Sequence, residues 1–408
     1  MNNYLLGNFM LTEKDISLVK STIPLLEQAG SAITEYFYNR MFKHNPELKD
    51  IFNMSNQKTG KQKVALFEAI AAYAKNIENL AALTTAVERI AQKHTSFNIQ
   101  PAHYQIVGHH LLATLRELAP DAFTTEIEEA WANAYQFLAQ IFIAREEELY
   151  TQRASTKGGW RGKRRFKVVN KVKESALVTS FTFAPVDNEP VIDFNVGQYL
   201  GVEVQPNGSD NVEIRQYSLS DLPNTETYRI SVKREQGEYP GLVSNYLHDH
   251  VEIGGLVDLY APAGDFFFID RQAPVVLISA GVGVTPMQAM LEKLSNDRYK
   301  DNVHYIHACE NNEQHSFKNR VVDLCHTNSW QHNTWYNEKH DNDDNDDNDD
   351  NIHQGFINFS QLELPKDNGN FYMCGPVGFM QFAKSALLDM GVCESRIHYE
   401  VFGPHANL

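Results

Sequence analysis

TTAVERIAQKHTSF, residues 84–97, decides how the first third of the chain is read. Val87, Ile90, Ala91 and His94 recur at i, i+3, i+4 and i+7, one face of an α-helix, so the imidazole points where the apolar side chains point. Taken alone, His94 also reads as a core histidine satisfied by a single hydrogen bond. Its neighbours weigh on that choice. Upstream, Gln62, Ala65, Leu66, Ala69, Ile70 and Tyr73 form a second helical stripe with one polar member. Downstream, Pro101 stands where a helix begins, and Tyr104, Val107, Leu111 and Leu115 form a third. In the segment from about 125 to 150, Ile127, Trp131, Ala134, Leu138, Ile141 and Phe142 share one side of a long helix. Glu146, eleven residues beyond Tyr135, returns to within about 20° of its direction. A carboxylate there is costly unless hydrogen-bonded. The spacing therefore offers His94, Tyr104 and Glu146 to one interior, while Tyr38 and Gln62 supply polar groups elsewhere.

Outward from this stretch, residues 11–150 keep the helical period, and Thr12 with Asp15 reads as an N-terminal cap. ASTKGGWRGKRR (154–165) is small, basic and glycine-containing, as an exposed linker is. Beyond it the period becomes two: FKVVNKV, ALVTSFTF, YLGVEV, EIRQYSLS and YRISVK alternate between turns, which implies an antiparallel β-barrel of about 100 residues. From about Ala273 strand and helix alternate. VVLIS, a glycine loop and MQAMLEKL are followed by VHYIHAC, then by NFYMC, a glycine–proline turn and VGFMQFAKSALLDM. That order implies a parallel sheet wrapped by helices.

A length of 408 residues suits two or three domains. Of the net charge of −16, seven aspartates at 341–350 supply nearly half. The balance disfavours a nucleic-acid surface. The run DNDDNDDNDDN (341–351) lacks the glycine and closing glutamate of a calcium loop and reads as a disordered, solvated insert. Cys309, Cys325, Cys374 and Cys393 show no CxxC spacing, so they write neither a zinc site nor an iron–sulfur cluster and read as reduced thiols. No basic leader with a long apolar core and no segment of about 20 apolar residues is present, so a cytoplasmic protein without a membrane span is expected.

Four segments in the later domains carry chemistry. In RQYS (215–218) Arg215 and Tyr217 share one face of a strand, Gln216 and Ser218 the other; alone it is also an ordinary strand. PGLVSNYL (240–247) is a glycine turn opening a helix, whose free N–H groups with the Ser244 hydroxyl suit a pyrophosphate. GVGVTP (281–286) follows a buried strand and opens a helix, with Thr285 expected as cap and Pro286 as the first helical residue. Its glycines let a dinucleotide phosphate approach the backbone. CGP (374–376) ends another strand, where ligands of open α/β sheets collect. Cys374 reads equally as a small buried residue, and Glu400 as a surface carboxylate.

FYNRMFKHNPELKDIFNMSNQ (37–57) together with IAQKHTSFNI (90–99) closely resembles the globin domain of bacterial flavohaemoglobins, and the resemblance runs from about Leu11 to Leu408. It implies an all-α globin domain at 11–153 after an extension at 1–10, then a linker at 154–163. An antiparallel β-barrel FAD-binding domain at 164–271 and an α/β parallel-sheet NAD(P)-binding domain at 272–408 follow. It implies haem b, FAD and NAD(P)H as cofactors, with nitric oxide and O₂ converted to nitrate by a monomer. By the same match His94 is the proximal ligand of haem iron. Tyr104 and Glu146 support it, Tyr38, Gln62 and Leu66 line the distal side, Phe52 wedges the haem and Lys93 lies beside the ligand. Flavin is assigned to Tyr199, Arg215, Gln216, Tyr217, Ser218, Gly241, Val243 and Ser244. Nucleotide falls to Gly281, Val282, Gly283, Val284, Thr285 and Pro286 with Cys374, Gly375 and Pro376; the family often has a polar residue where Val284 stands. Glu400, Val401, Phe402, Gly403 and Pro404 match the family's terminus against the flavin. Two other functions fit the same parts: a haem gas sensor whose flavin unit resets the iron, and a flavin reductase with a haem-free docking domain.

Overall fold

A computed structural model describes residues 11–52, 61–237, 240–338 and 350–403. The extension at 1–10 and residues 341–349 of the acidic insert lie outside the described residues. The chain falls into two compact units, Met1–Lys163 with Glu203–Arg215, and Arg164–Val202 with Gln216–Leu408.

The first unit contains α1 (Glu13–Ser21), α2 (Ile23–Ala29), α3 (Ser31–His44), α4 (Lys61–Lys75), α5 (Thr84–Thr95), α6 (Pro101–Leu118) and α7 (Thr125–Ser155). Its ends follow local chemistry. Thr12 and Asp15 form the expected reciprocal cap, the Thr12 oxygen accepting from the Asp15 N–H at 3.1 Å and the carboxylate accepting from the Thr12 N–H at 3.0 Å. Pro101 opens α6, where its missing N–H costs nothing. The helix α7 runs 31 residues, past the expected linker start at 154, to Ser155. One core gathers Val19, Leu26, Tyr73, Trp131 and Ala134; the Trp131 indole donates to Thr22 Oγ1 at 3.1 Å, so its buried polar atom is satisfied. The segment Glu203–Arg215 assigned to this unit is tied to it by Asp50, which accepts from Asn211 Nδ2 at 2.8 Å and from the Val212 N–H at 3.2 Å.

The barrel strands are β1 (Lys163–Lys173), β2 (Val178–Pro185), β3 (Tyr199–Val204), β4 (Glu213–Ser218), β5 (Tyr228–Lys233) and β6 (Leu256–Tyr260), with α8 (Leu242–His250) before the last. They form one sheet in the order β4-β3-β6-β1-β2-β5. A Leu219–Ile230 bridge joins the ends of that order and closes the barrel, leaving those edges paired.

The second sheet holds β7 (Val275–Ala280), β8 (Val303–Cys309), β9 (Gln331–Tyr336), β10 (Ile352–Gln354), β11 (Asn370–Gly375) and β12 (Ile397–Val401). Their order is β10-β9-β8-β7-β11-β12, every pair parallel. Helices α9 (Val284–Asn296), α10 (Lys318–Asn328) and α11 (Val377–Asp389) connect them. The chain builds outward from β7 to β10, then returns to β11 on the other side of β7. The strand order therefore reverses beside β7, at the carboxyl ends where GVGVTP and CGP sit.

Candidate functional site

Three helices deliver His94, Tyr104 and Glu146 to one point. His94 Nδ1 donates to Glu146 Oε1 at 2.7 Å and lies 2.9 Å from the Tyr104 hydroxyl, which itself donates to the same carboxylate oxygen at 2.5 Å. Glu146 is 2% exposed. Such a carboxylate persists because two donors converge on it. Burial first, then the Glu146 charge, holds the Tyr104 phenol far above its usual pKa, so it stays a donor. Phe142 packs against both rings, with Ala91, Val87 and Ile90 around them, the stripe the sequence places beside His94.

The scaffold around the triad is strapped from both sides. Arg145 on α7 pairs with Glu88 on α5 at 2.6 Å, and Arg153 donates to Gln92 and Thr95 on the same helix. Tyr135 donates to the Tyr104 carbonyl at 2.6 Å, fixing α7 against α6. Its ring passes over Gly108, where an added Cβ would lie 2.4 Å from Tyr135 Cε1. Only a residue without a side chain lets the helices meet there.

With Nδ1 committed, His94 Nε2 has no hydrogen-bond partner among the described residues, and the side chain is 32% exposed. A second cluster in the same unit contains Tyr38, 3% exposed, with Phe37, Met41, Leu48 and Leu111, joined by Phe42, Phe52 and Leu66. The Tyr38 ring stacks on Phe42 and meets the edge of Phe52, both at 5.8 Å. Gln62 sits in the first turn of α4, but its side chain lies outside the described residues. Lys93 is half-buried on α5 immediately before His94.

On β4, Ser218 is buried and Gln216 and Tyr217 are half-buried. Arg215 Nη2 lies 2.8 Å from Glu213 Oε2, and Glu213 is 4% exposed. Tyr199 is buried on β3. Gly241 caps α8, Val243 is buried in its first turn, and the Ser244 hydroxyl donates to Gly241 O and accepts from the Glu235 N–H, both at 3.3 Å.

At the nucleotide loop the structure corrects one expectation. Gly281–Gly283 form a 3₁₀ turn and α9 starts at Val284 with Gly283 as cap, so Thr285 and Pro286 lie inside the first turn. The Thr285 hydroxyl donates to Val282 O at 3.0 Å instead of accepting from a backbone N–H. Winding begins directly off β7, two residues before the usual cap chemistry could act. A Cβ on Gly283 would fall 2.1 Å from Cys374 O, so the two loops touch backbone to backbone. Cys374 is fully buried, and burial raises its thiol pKa well above normal, with the Glu400 charge adding to it. The parallel register sets Cys374 between Ser279 and Glu400. Gly375 ends β11 and exposed Pro376 caps α11. Val284 is fully buried. Val401 ends β12, Phe402 and Gly403 follow it, and Pro404 lies outside the described residues.

Family models match the chain as globin at 35–142, oxidoreductase FAD-binding domain at 165–268 and oxidoreductase NAD-binding domain at 277–385. A crystal structure of a flavohemoglobin from Malassezia yamatoensis with bound FAD and heme is 28% identical, with a TM-score of 0.85 over 96% of this chain and 100% of its own. The FAD/NAD binding domain of a nitric oxide dioxygenase from Vibrio cholerae O1 is 49% identical over 59% of this chain and 99% of its own, with a TM-score of 0.56. A flavohemoprotein of Vibrio cholerae serotype O1 is 59% identical over 401 residues, 98% of this chain and 100% of its own. The chain belongs to the flavohemoprotein family.

Two features of the site lie outside the motifs of the sequence. Glu213 faces Arg215 because residues two apart share a strand face, a signal present in EIR. His307 Nδ1 meets the Ser279 hydroxyl at 2.9 Å beneath the glycine loop; VHYIHAC gives no hint of that partner, since the strand pairing that aligns Ser279 with His307 is tertiary.

Proposed function

We infer that the chain is an NAD(P)H-dependent nitric oxide dioxygenase, converting nitric oxide and O₂ to nitrate with electrons passed from NAD(P)H through FAD to haem b. The observation that carries this is His94, its Nδ1 anchored on a buried carboxylate and its Nε2 left available, in one chain with FAD- and NAD-binding domains. When bound, the haem supplies the iron at which O₂ and nitric oxide react, and the flavin divides a hydride into single electrons.

The residues fit these groups. His94 Nε2 would hold the haem iron, and Glu146 with Tyr104 would fix the imidazole tautomer and raise its electron donation. Tyr38 and Gln62 are assigned the hydrogen bonds to substrate oxygen, Phe52 and Leu66 the apolar wall, and Lys93 the haem edge. Arg215 serves a flavin phosphate while held by Glu213. Tyr199, Gln216, Tyr217 and Ser218 serve the ring, and Gly241, Val243 and Ser244 the pyrophosphate at the N-terminus of α8. Residues 281–286 and 374–376 take the pyridine nucleotide at the strand-order reversal, with Glu400–Pro404 assigned to the flavin side. The domain limits proposed are 11–153, 164–271 and 272–408, with 154–163 as linker. The protein is assigned to the cytoplasm, a reading that four free thiols support, and is taken to act as a monomer; among the described residues no helix is long and apolar enough to cross a membrane.

The test uses the protein loaded with haem and FAD. Nitric oxide should disappear at an electrode only with both O₂ and NAD(P)H present, leaving nitrate. His94→Ala should lose that activity and the haem ligation spectrum while still reducing ferricyanide from NADH. Nitric oxide consumption undiminished in His94→Ala, or a ferric haem that NAD(P)H never reduces, would overturn the reading.

A further inference from the structure

One aspartate joins the corner that carries Phe52 to the strand that carries Arg215. Asp50 closes the 3₁₀ turn Pro46–Asp50, whose Leu48 side chain is buried in the core of the helical unit. The Ile51 and Phe52 N–H groups donate back to Leu48 O at 3.1 and 3.0 Å, so the corner is fixed as far as Phe52, whose ring meets Tyr38. On the other side, the loop between β3 and β4 is braced by Ser209. Its hydroxyl donates to Asn211 O at 2.8 Å and accepts from the Asn211 N–H at 3.2 Å. Two donors from this loop, Asn211 Nδ2 at 2.8 Å and the Val212 N–H at 3.2 Å, converge on Asp50 Oδ1. Asp50, Asn211 and Val212 are all half-buried, and both segments lie in the first compact unit. Hydrogen bonds to an ionised acceptor are the stronger kind.

Past Val212 the chain enters β4 at once. There Glu213 pairs with Arg215, and Arg215 Nη1 donates to Ile214 O at 2.8 Å, so a displacement at Val212 passes directly into the residue assigned to the flavin. On the far side of the same hydrogen bonds, Asp50 is followed within one turn by Phe52, the residue assigned to the haem. We propose that Asp50 is a positioning residue for electron delivery, clamping the flavin-bearing strand to the haem-bearing corner so that the separation of the two cofactors is held fixed. The assignment rests on the haem and flavin sites of the preceding section and adds the contact that holds them in place. Each NADH oxidised to NAD⁺ releases one proton and two electrons, which pass singly from FAD and reduce ferric iron to ferrous in two successive events. Transfer between held groups is sensitive to small misplacements. A carboxylate that merely tied down a loop would affect stability and leave that transfer alone.

The test mixes the full-length protein, loaded with haem and FAD, anaerobically with NADH and follows the ferric-to-ferrous change of the Soret band; ferricyanide reduction, which needs only the flavin, is the control. Asp50→Ala should slow haem reduction by about tenfold and leave ferricyanide reduction within about twofold of native. Asp50→Asn keeps an oxygen acceptor and should retain most of the rate. Asn211→Asp sets two carboxylates against each other and should be as slow as Asp50→Ala. Combined with Asp50→Asn it restores a donor–acceptor pair, and the rate should recover. Hydrogen exchange over residues 211–215, which involves no turnover, should quicken in Asp50→Ala and Asn211→Asp and return toward native in the double variant. Native haem reduction in Asp50→Ala, equal losses of haem and ferricyanide reduction, or a double variant no faster than Asn211→Asp overturns the proposal, as does exchange unmoved by every substitution. A native haem that NADH never reduces strikes the dioxygenase reading itself, whereas a native rate that these substitutions leave untouched strikes the clamp alone.

Discussion

Removing the Glu146 carboxylate takes the shared acceptor from the His94 Nδ1–H and the Tyr104 hydroxyl, leaving these two groups, 2.9 Å apart, only each other within an apolar shell, so that one donor goes unsatisfied. Each unsatisfied buried donor costs roughly 1–3 kcal/mol. Glu146→Ala should therefore destabilise the helical unit by about 2 kcal/mol or more, visible in chemical denaturation. It should also weaken the imidazole as a donor to iron. The iron–histidine stretch should move to lower frequency in resonance Raman spectra, and nitric oxide turnover should drop by about tenfold or more. Glu146→Gln keeps an oxygen acceptor without the charge and should fall between the two. An unshifted stretch with native turnover in Glu146→Ala would leave the carboxylate a merely structural role.

Among the elements, the sharpest steric statement concerns the turn between β7 and α9. A methyl group at position 283 would overlap the Cys374 carbonyl, and backbone on both sides cannot yield as a flexible side chain would. Gly283→Ala should cost about 1–3 kcal/mol in the second unit and raise the KM for NAD(P)H several-fold, with haem content unchanged; native KM and stability would show that the loops are not in contact. How much of this was legible depends on where the information lies. The stripes through Val87–His94 and Tyr104–Leu115 announced their helices because one face is buried, and β2 announced itself by burial that nearly alternates along VTSFTFAP, whereas β3 is buried on both faces. The triad was legible for the same cause, three polar groups on apolar faces. By contrast β9, QHNTWY, is exposed at its start and buried only over its last half, so no clear period marks it. Thr285 lies inside the helix and does not cap it because a 3₁₀ turn off the strand shifts the helix start, and local cap rules do not register such a shift. Asp50 holding Asn211 and Val212 was invisible, since that contact joins segments about 160 residues apart.

For the whole molecule, buried histidines in both units set the response to acid. Burial first, then the Arg40 charge, lowers the His110 pKa to about 4; its Nε2–H donates to Asn45 Oδ1 at 2.9 Å while Nδ1 accepts from Arg40. In the second unit burial lowers His307 to about 4, and burial with the Arg271 charge does the same for His398. An unfolded imidazole takes its proton near 6.5, the folded ones only near 4. Between those values the unfolded chain binds more protons, so stability is complete above about pH 6.5 and is lost as pH falls toward 4. Each fully buried group contributes a slope of up to about 1.4 kcal/mol per pH unit in that window. Carboxylates held low by partners, such as Glu88 beside Arg145, act only below about 4.5 and leave the upper part of the window to histidine. The unfolding midpoint should therefore fall steadily from pH 6.5 to 5 by calorimetry. His110→Gln should flatten the slope of the helical unit, and His307→Gln that of the second unit. A midpoint level or rising across that range, or one whose slope neither substitution changes, would mean that these imidazoles already titrate in the folded protein.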